Sequence, residues 1–356
     1  MRLPKGAIKP RGNVQAMAPY SPPTAGRLGK LRLDFNENTV GCSPRVIAAL
    51  REGLDADRLS VYPEYGEARQ AVARFFHVEP AELLFTNGTD EAIQVFVNTY
   101  VDAGQEVLLL RPSYAMYRFY CEVAGAKIRE VAYPMPGMEF PLQDVLDAIT
   151  PETRAVIVSN PNNPTGTGIS LLAIERILHR ARKAAVMIDE AYYEFSGVTA
   201  LTEIERVANL FVTRTFSKVF GMAGMRLGCM FSHPANIAYL HKAQSPYSVN
   251  SLAVIAAQAA VEDTAFVENY VAEVLAAREL LCLGLEKLGI SYVPSSANFV
   301  LGHFGKRAKA VSEALRGHAI LVRDRSYEAP GCVRITLGTR EQTRRLIEAL
   351  NEIWNS

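Results

Sequence analysis

The sequence predicts an α/β protein, with a large domain built on a mainly parallel mixed sheet covered by helices and a small α+β domain after it. Three observations carry this. From about Pro44 onward, helical patterns alternate with short β-rich runs, the rhythm of strands joined by crossover helices. Beyond Gly289 the texture changes to strands interrupted by single helices. The chain has 356 residues and is 49% hydrophobic, enough to bury a large core and to divide into one larger and one smaller domain.

Element by element, residues 1–45 are rich in Pro and Gly and read as an extended arm ending in a short strand at 31–35. Strands are predicted at 82–86, 106–110, 127–132, 155–159, 185–189, 209–213 and 227–231. One long helical stretch covers 249–288, with Gly289 as its stop signal. The smaller domain has strands at 292–302, 320–323 and 333–337, with helices at 308–315 and 340–354. The expected division is an arm at 1–45, a large domain at 46–265 and a small domain at 266–356, which the arm joins. There are no internal repeats and no low-complexity tract.

The bulk charge narrows the possible partners. With 38 basic and 37 acidic residues the formal net charge is +1, and no long run of either sign suggests nucleic-acid or membrane-surface binding. A charged ligand must therefore be met locally. Five scattered cysteines, without a C-x-x-C pair, argue against a disulfide framework and against a zinc site, so no metal is expected and a reducing cytoplasm is the expected location. No apolar run has the length of a signal core or a membrane span.

Several short segments carry chemistry. In 211–228, Lys218 lies in a loop after an apolar strand, followed by small residues and Arg226. Partial desolvation and nearby cations favour the neutral amine that attacks a carbonyl, so this setting suits a nucleophilic lysine better than a solvated one. Arg226 supplies a planar fork for a phosphate, and the hydroxyls of Thr215 and Ser217 can donate to it. Upstream, Asn87-Gly88-Thr89-Asp90 is a glycine turn into a helix start, which is either a plain capped turn or a phosphate site.

Asp189 ends a buried-looking strand, where an uncompensated carboxylate is costly. A protonated ring nitrogen would compensate it, with Tyr192 in reach of the ring; a magnesium ion is the competing partner, weakened by the absence of any G-x-x-x-x-G-K-[ST] loop. Asn162-Asn163-Pro164-Thr165-Gly166 follows another strand as a rigid platform for an amide. Arg323 and Arg334 lie on or beside apolar strands and answer either a structural carboxylate or a ligand anion. No H-E-x-x-H helix, G-x-S-x-G elbow or dinucleotide fingerprint is present.

In this order, these strings resemble the fold type I pyridoxal-phosphate (PLP) enzymes, and more closely the histidinol-phosphate aminotransferases, over residues 13–350. The closer likeness rests on Met17-Ala-Pro-Tyr20, Asp34-Phe-Asn36-Glu37-Asn38, Tyr62-Pro-Glu, Arg111-Pro-Ser-Tyr114-Ala-Met-Tyr117, and Val322-Arg323-Asp-Arg through Gly331-Cys-Val-Arg334-Ile-Thr-Leu-Gly-Thr. It implies a fold type I PLP-dependent transferase, with Lys218 holding PLP as a Schiff base and shuttling the proton. By the same resemblance Asp189 pairs with the pyridine nitrogen, Asn163 and Tyr192 hold the ring oxygen, and Tyr114 stacks on the ring. Gly88, Thr89, Asp90, Thr215, Ser217 and Arg226 would surround the cofactor phosphate, with Tyr62 reaching across from the second subunit of a homodimer.

On the substrate side the resemblance implies Arg334 as an α-carboxylate clamp and Arg323 with Tyr20 as a distal phosphate site, with Asn36 also at the substrate. The activity implied is transfer of an amino group from histidinol phosphate to 2-oxoglutarate. Ser21-Pro-Pro-Thr-Ala and Arg111-Pro-Ser-Tyr114 also occur in relatives that prefer aromatic amino acids, so an aromatic aminotransferase is an alternative. A decarboxylase of a phosphorylated amino acid, such as threonine phosphate, is another.

Overall fold

The computed structural model describes residues 8–19 and 23–355. Its strands, in chain order, are β1 (Leu31–Arg32), β2 (Leu83–Thr86), β3 (Glu106–Arg111), β4 (Lys127–Ala132), β5 (Thr153–Ser159), β6 (Ala185–Asp189), β7 (Leu210–Thr215), β8 (Gly228–Ser232), β9 (Tyr292–Val293), β10 (Phe299–His303), β11 (Ile320–Leu321), β12 (Arg323–Asp324) and β13 (Cys332–Thr336). Seven of them form one sheet in the order β2-β8-β7-β6-β5-β3-β4. All neighbours from β7 to β4 run parallel, while β8 is antiparallel to both β7 and β2. The seven strands expected between residues 82 and 231 all appear in this sheet, as a mixed and mostly parallel array.

Every residue of β6, β7 and β8 is buried, as expected when helices cover both faces of a parallel sheet. The apolar content of these strands, such as Val186, Met187 and Ile188 in β6, fills the two hydrophobic clusters on either face. Because β8 reverses direction, the carboxyl ends of β2, β3, β5, β6 and β7 share one edge with the amino end of β8. Open α/β sheets bind ligands along that edge.

A second sheet of four antiparallel strands, β12-β13-β10-β9, is built from the C-terminal part of the chain. The arm attaches through β1, which pairs in parallel with β11, and the pairing continues as Leu33 donates its N–H to the Leu321 carbonyl at 2.8 Å. Among the described residues no helix is long and apolar enough to cross a membrane.

Three expectations are corrected by local chemistry. The single helix expected at 249–288 is two, Ser251–Glu262 and Thr264–Lys287. Asp263 separates them because its carboxylate caps the second, accepting from the Phe266 N–H at 3.3 Å, and also accepts the Ser43 hydroxyl. The strand expected at 292–302 is interrupted at Pro294, which has no N–H for a ladder, and at Ser295, whose hydroxyl donates to the Phe299 carbonyl. The strand expected at 320–323 is split because β11 pairs with β1 whereas β12 pairs with β13.

Replacing Asp263 with Ala removes a helix cap and the Ser43 partner together. The expected outcome in urea unfolding is a loss of about 1 kcal/mol, with secondary structure otherwise retained by circular dichroism.

Candidate active site

The shared sheet edge opens into a cavity of about 570 Å³. Its floor is made by β5, β6 and β7, which end at Ser159, Asp189 and Thr215, and all three residues line it. Lys218, Tyr192, Asn163 and Ser217 enter from the loops after these strands. Thr89 and Asp90 come from the helix Gly88–Tyr100, Tyr114 and Tyr117 from around the start of the helix Ala115–Ala124. The arm supplies Asn36, and the four-stranded sheet supplies Arg323, Arg325 and Arg334. A neighbouring cavity of about 550 Å³ touches Ser217 and Glu37 but none of Lys218, Asp189 or the three arginines.

Lys218 is half-buried, and its Nζ donates to the Phe35 carbonyl at 2.9 Å. Burial, aided by the nearby Arg334 charge, pulls its pKa down from 10.5 to about 8. An appreciable minority of this amine is therefore neutral near physiological pH. Its Nζ lies 5.8 Å from the centre of the Tyr192 ring. Tyr192 is held in turn by Asn36, whose Nδ2 donates to the phenol oxygen at 2.9 Å. Asn36 is fixed in the left-handed region (φ 57°) by Thr336, whose Oγ1 accepts its N–H and whose hydroxyl donates to its Oδ1, each at 3.0 Å.

Asp189 is buried at the floor, and burial raises its pKa against the pull of its donors. Oδ1 accepts the Thr213 hydroxyl at 2.9 Å and the Ala191 N–H at 3.1 Å, while Oδ2 accepts the Tyr117 hydroxyl at 2.5 Å. The carboxylate is thus oriented but keeps acceptor capacity on Oδ2. Sequence reasoning did not assign Tyr117; the available signal was its spacing of three from Tyr114, which puts both on one helix face. Behind this strand, Glu190 and Arg214 form a buried ion pair at 2.7 Å, with the Arg214 guanidinium 3.4 Å over the Tyr193 ring.

At one end of the cavity, backbone and cation converge. Gly88 opens its helix at φ 74°, and an added Cβ there would stand 2.5 Å from Nη2 of Arg226. Gly228 is equally confined, since its Cβ would meet Gly88 and Thr89 backbone at 2.7 Å. Arg226 pairs with Asp90 at 3.3 Å, and Tyr114 donates its hydroxyl to the other oxygen of that carboxylate at 2.8 Å. A helix N-terminus, a guanidinium and the Ser217 and Thr215 side chains therefore face one small volume, which suits a phosphate.

The opposite wall is cationic. Arg334 is buried, donating from Nη1 to Asn163 Oδ1 at 2.5 Å and from Nη2 to the Asp34 carbonyl at 2.6 Å. Burial, with Arg325 and Arg323 close by, lowers its pKa to about 10. Asn163 is thus committed through its oxygen and keeps its amide N–H groups to donate. Arg323 lies beside the Phe35 ring, 5.5 Å from its centre, with no carboxylate partner among the described residues. Arg325, also unassigned from sequence, follows Arg323 by two positions, the spacing that returns a side chain to the same face of an extended chain.

One expected residue is not brought to this cavity by its own chain. Tyr62 is 70% exposed and stacks on Tyr247 at 4.1 Å, so it does not reach the cavity of its own chain. Tyr20 lies outside the described residues.

Comparison with known proteins decides the family. The family described as aminotransferase class I and II matches residues 29–350. The chain is a class I/II aminotransferase. Among curated relatives, the histidinol-phosphate aminotransferase of Symbiobacterium thermophilum is 36% identical, covering 96% of this chain and 97% of that protein. That of Geobacillus sp. (strain WCH70) is 33% identical over 96% of each. The crystal structure of Sinorhizobium meliloti histidinol-phosphate aminotransferase in complex with pyridoxal-5'-phosphate superposes with a TM-score of 0.88 at 25% identity, covering 98% of this chain and 99% of that one.

The depressed lysine pKa of this aminotransferase is directly measurable. Acylation of Lys218 in cofactor-free protein, followed by peptide mass spectrometry against pH, is expected to have a midpoint near 8, and Arg334→Gln to move it upward. A wild-type midpoint near 10.5 would contradict the geometry.

Proposed function

We propose that this aminotransferase moves an amino group from histidinol phosphate to 2-oxoglutarate, giving imidazole acetol phosphate and glutamate, as the names of its relatives suggest. The observation that carries the reading is the convergence, on one cavity, of a partly neutral lysine, a buried carboxylate and a wall of arginines. The residues present fit PLP. The Gly88 cradle against Arg226 matches a phosphate, and Asp189 Oδ2 has acceptor capacity to spare for a ring N–H. Bound there, PLP supplies an electron sink that eases breaking of the substrate's α-C–H bond.

The side chains divide the remaining work. Lys218 Nζ would hold the cofactor and, once free, would act as the base that takes the proton from the substrate α-carbon. Asp189, oriented by three donors, would hold the proton on the ring nitrogen. Tyr192 and the free amide N–H groups of Asn163 donate to the ring oxygen, while Tyr114 packs against the ring. Thr89, Asp90, Thr215, Ser217, Arg226 and the Gly88 turn hold the phosphate.

Arg334 takes the α-carboxylate of glutamate, and Arg323, beside the Phe35 ring and with Tyr20, takes the distal anion. Release of imidazole acetol phosphate and entry of 2-oxoglutarate then use the same wall in turn. The enzyme is proposed to act as a homodimer, Tyr62 of each subunit completing the other's phosphate site. In support, Tyr62 and the adjacent Val61 are exposed, and Tyr62 stacks on Tyr247, which is exposed as well. The three-part division at residues 45 and 265 and a cytoplasmic location belong to the same proposal.

Stopped-flow spectroscopy of the holoenzyme tests the reading. Histidinol phosphate and glutamate should each change the cofactor's visible absorbance without release of carbon dioxide, and Lys218→Ala should slow both half-reactions on the order of a thousandfold or more. Faster reaction with phenylalanine, or stoichiometric carbon dioxide, would overturn the substrate assignment.

A further inference from the structure

The cationic wall contains a carboxylate that the transamination scheme leaves without a role. Arg325 directly follows β12 in a rigid turn: its N–H donates to the Cys332 carbonyl at 2.9 Å, and its own carbonyl accepts from Glu328 and Ala329 at 3.0 and 2.8 Å. Its side chain is 6% exposed and forms an ion pair with Glu328. Its Nε is buried without a partner, as is the Nε of Arg334. Glu328 is itself largely buried and feels the charge of Arg325, Arg334 and Arg323 together.

The other acids nearby are already engaged. Asp34 and Glu37 are held by Arg27, and Asp324 accepts from the Ser326 N–H and hydroxyl at 2.8 and 2.6 Å. Three guanidinium groups thus face one internal carboxylate, leaving a surplus of positive charge equal to that of a phosphate dianion. How that surplus is distributed depends on which arginine holds Glu328. If Glu328 turned to Arg323 or Arg334, it would neutralise a group that the ligand needs.

We propose that Arg325 is a specificity-determining residue: by holding Glu328 away from Arg323 and Arg334, it preserves the positive charge of the wall that favours a doubly charged phosphate at Arg323. The inference rests on the transamination reading above and extends it to the choice between phosphorylated and unphosphorylated amines. A dianion loses more than a monoanion when such a surplus shrinks, because the Coulomb energy scales with the ligand charge. Removing Arg325 alone frees Glu328 to compete with the ligand. Removing both leaves Arg323 and Arg334 as they were.

The test is a double-mutant cycle on holoenzyme, reading kcat/KM for histidinol phosphate relative to histidinol, and inhibition of the glutamate half-reaction by inorganic phosphate. Arg325→Gln should lower the substrate ratio and weaken phosphate inhibition, each about tenfold. Arg325→Gln/Glu328→Gln should restore both to within about threefold of wild type. Glu328→Gln alone, which keeps Arg325, should tighten phosphate inhibition severalfold and gives an answer even if Arg325→Gln does not fold. An unchanged ratio in Arg325→Gln, a double variant as impaired as the single, or Glu328→Gln without tighter inhibition would each overturn the proposal. Failure of wild-type enzyme to use histidinol phosphate would instead overturn the substrate assignment, while phosphate inhibition in the variants would still decide the role of Arg325.

Discussion

The desolvation of one amine organises this molecule. Lys218 is placed by the loop after β7 where burial weakens the hydration of its charge and where Arg334 opposes protonation, so a group that is ordinarily a cation becomes partly a neutral base. Such an amine is costly to hold in place, and the surroundings show how it is held. The Phe35 carbonyl accepts its N–H, Asn36 locks Tyr192 beside it, and Thr336 on β13 locks Asn36. The large sheet, the arm and the four-stranded sheet therefore meet at the lysine, and each contributes a contact the others cannot supply.

The same logic of compensated charge explains the two ends of the cavity. At the phosphate end, backbone N–H groups and Arg226 are brought close by glycines whose replacement would intrude on the guanidinium or the helix start. At the far end, arginines from a different sheet exceed their internal counter-charges. Asp189 lies between, buried and triply donated to, so that its charge is directed rather than dispersed. Beneath it, the buried Arg214–Glu190 pair and the Tyr193 ring stiffen the strand ends that carry both Asp189 and the loop of Lys218.

Much of this was legible in the sequence because the signals are local. Seven strands could be read from short β-rich runs, and Lys218, Asp189, Asn163 and Arg226 from the turns that follow or precede them. The structure then brings these residues, with Thr89, Asp90, Tyr114, Tyr192, Thr215, Ser217, Asn36, Arg323 and Arg334, to one cavity. What was not legible depends on partners distant in sequence. The break at Asp263 has a local cap, but an apolar helical pattern continues across it and hid the signal. Tyr117 acquires its meaning only from Asp189, 72 residues away, and Arg325 only from its approach to Arg334 on a neighbouring strand. The split at residues 320–324 arises from which strand pairs with which, a choice that propensity does not encode.

Borohydride reduction of PLP-loaded enzyme, followed by peptide mass spectrometry, tests the central claim most directly, because it fixes the cofactor to whichever amine holds it. A single phosphopyridoxyl increment on the peptide containing Lys218 is the predicted result. An increment on another lysine, or none on any, would contradict the account at the residue on which it depends.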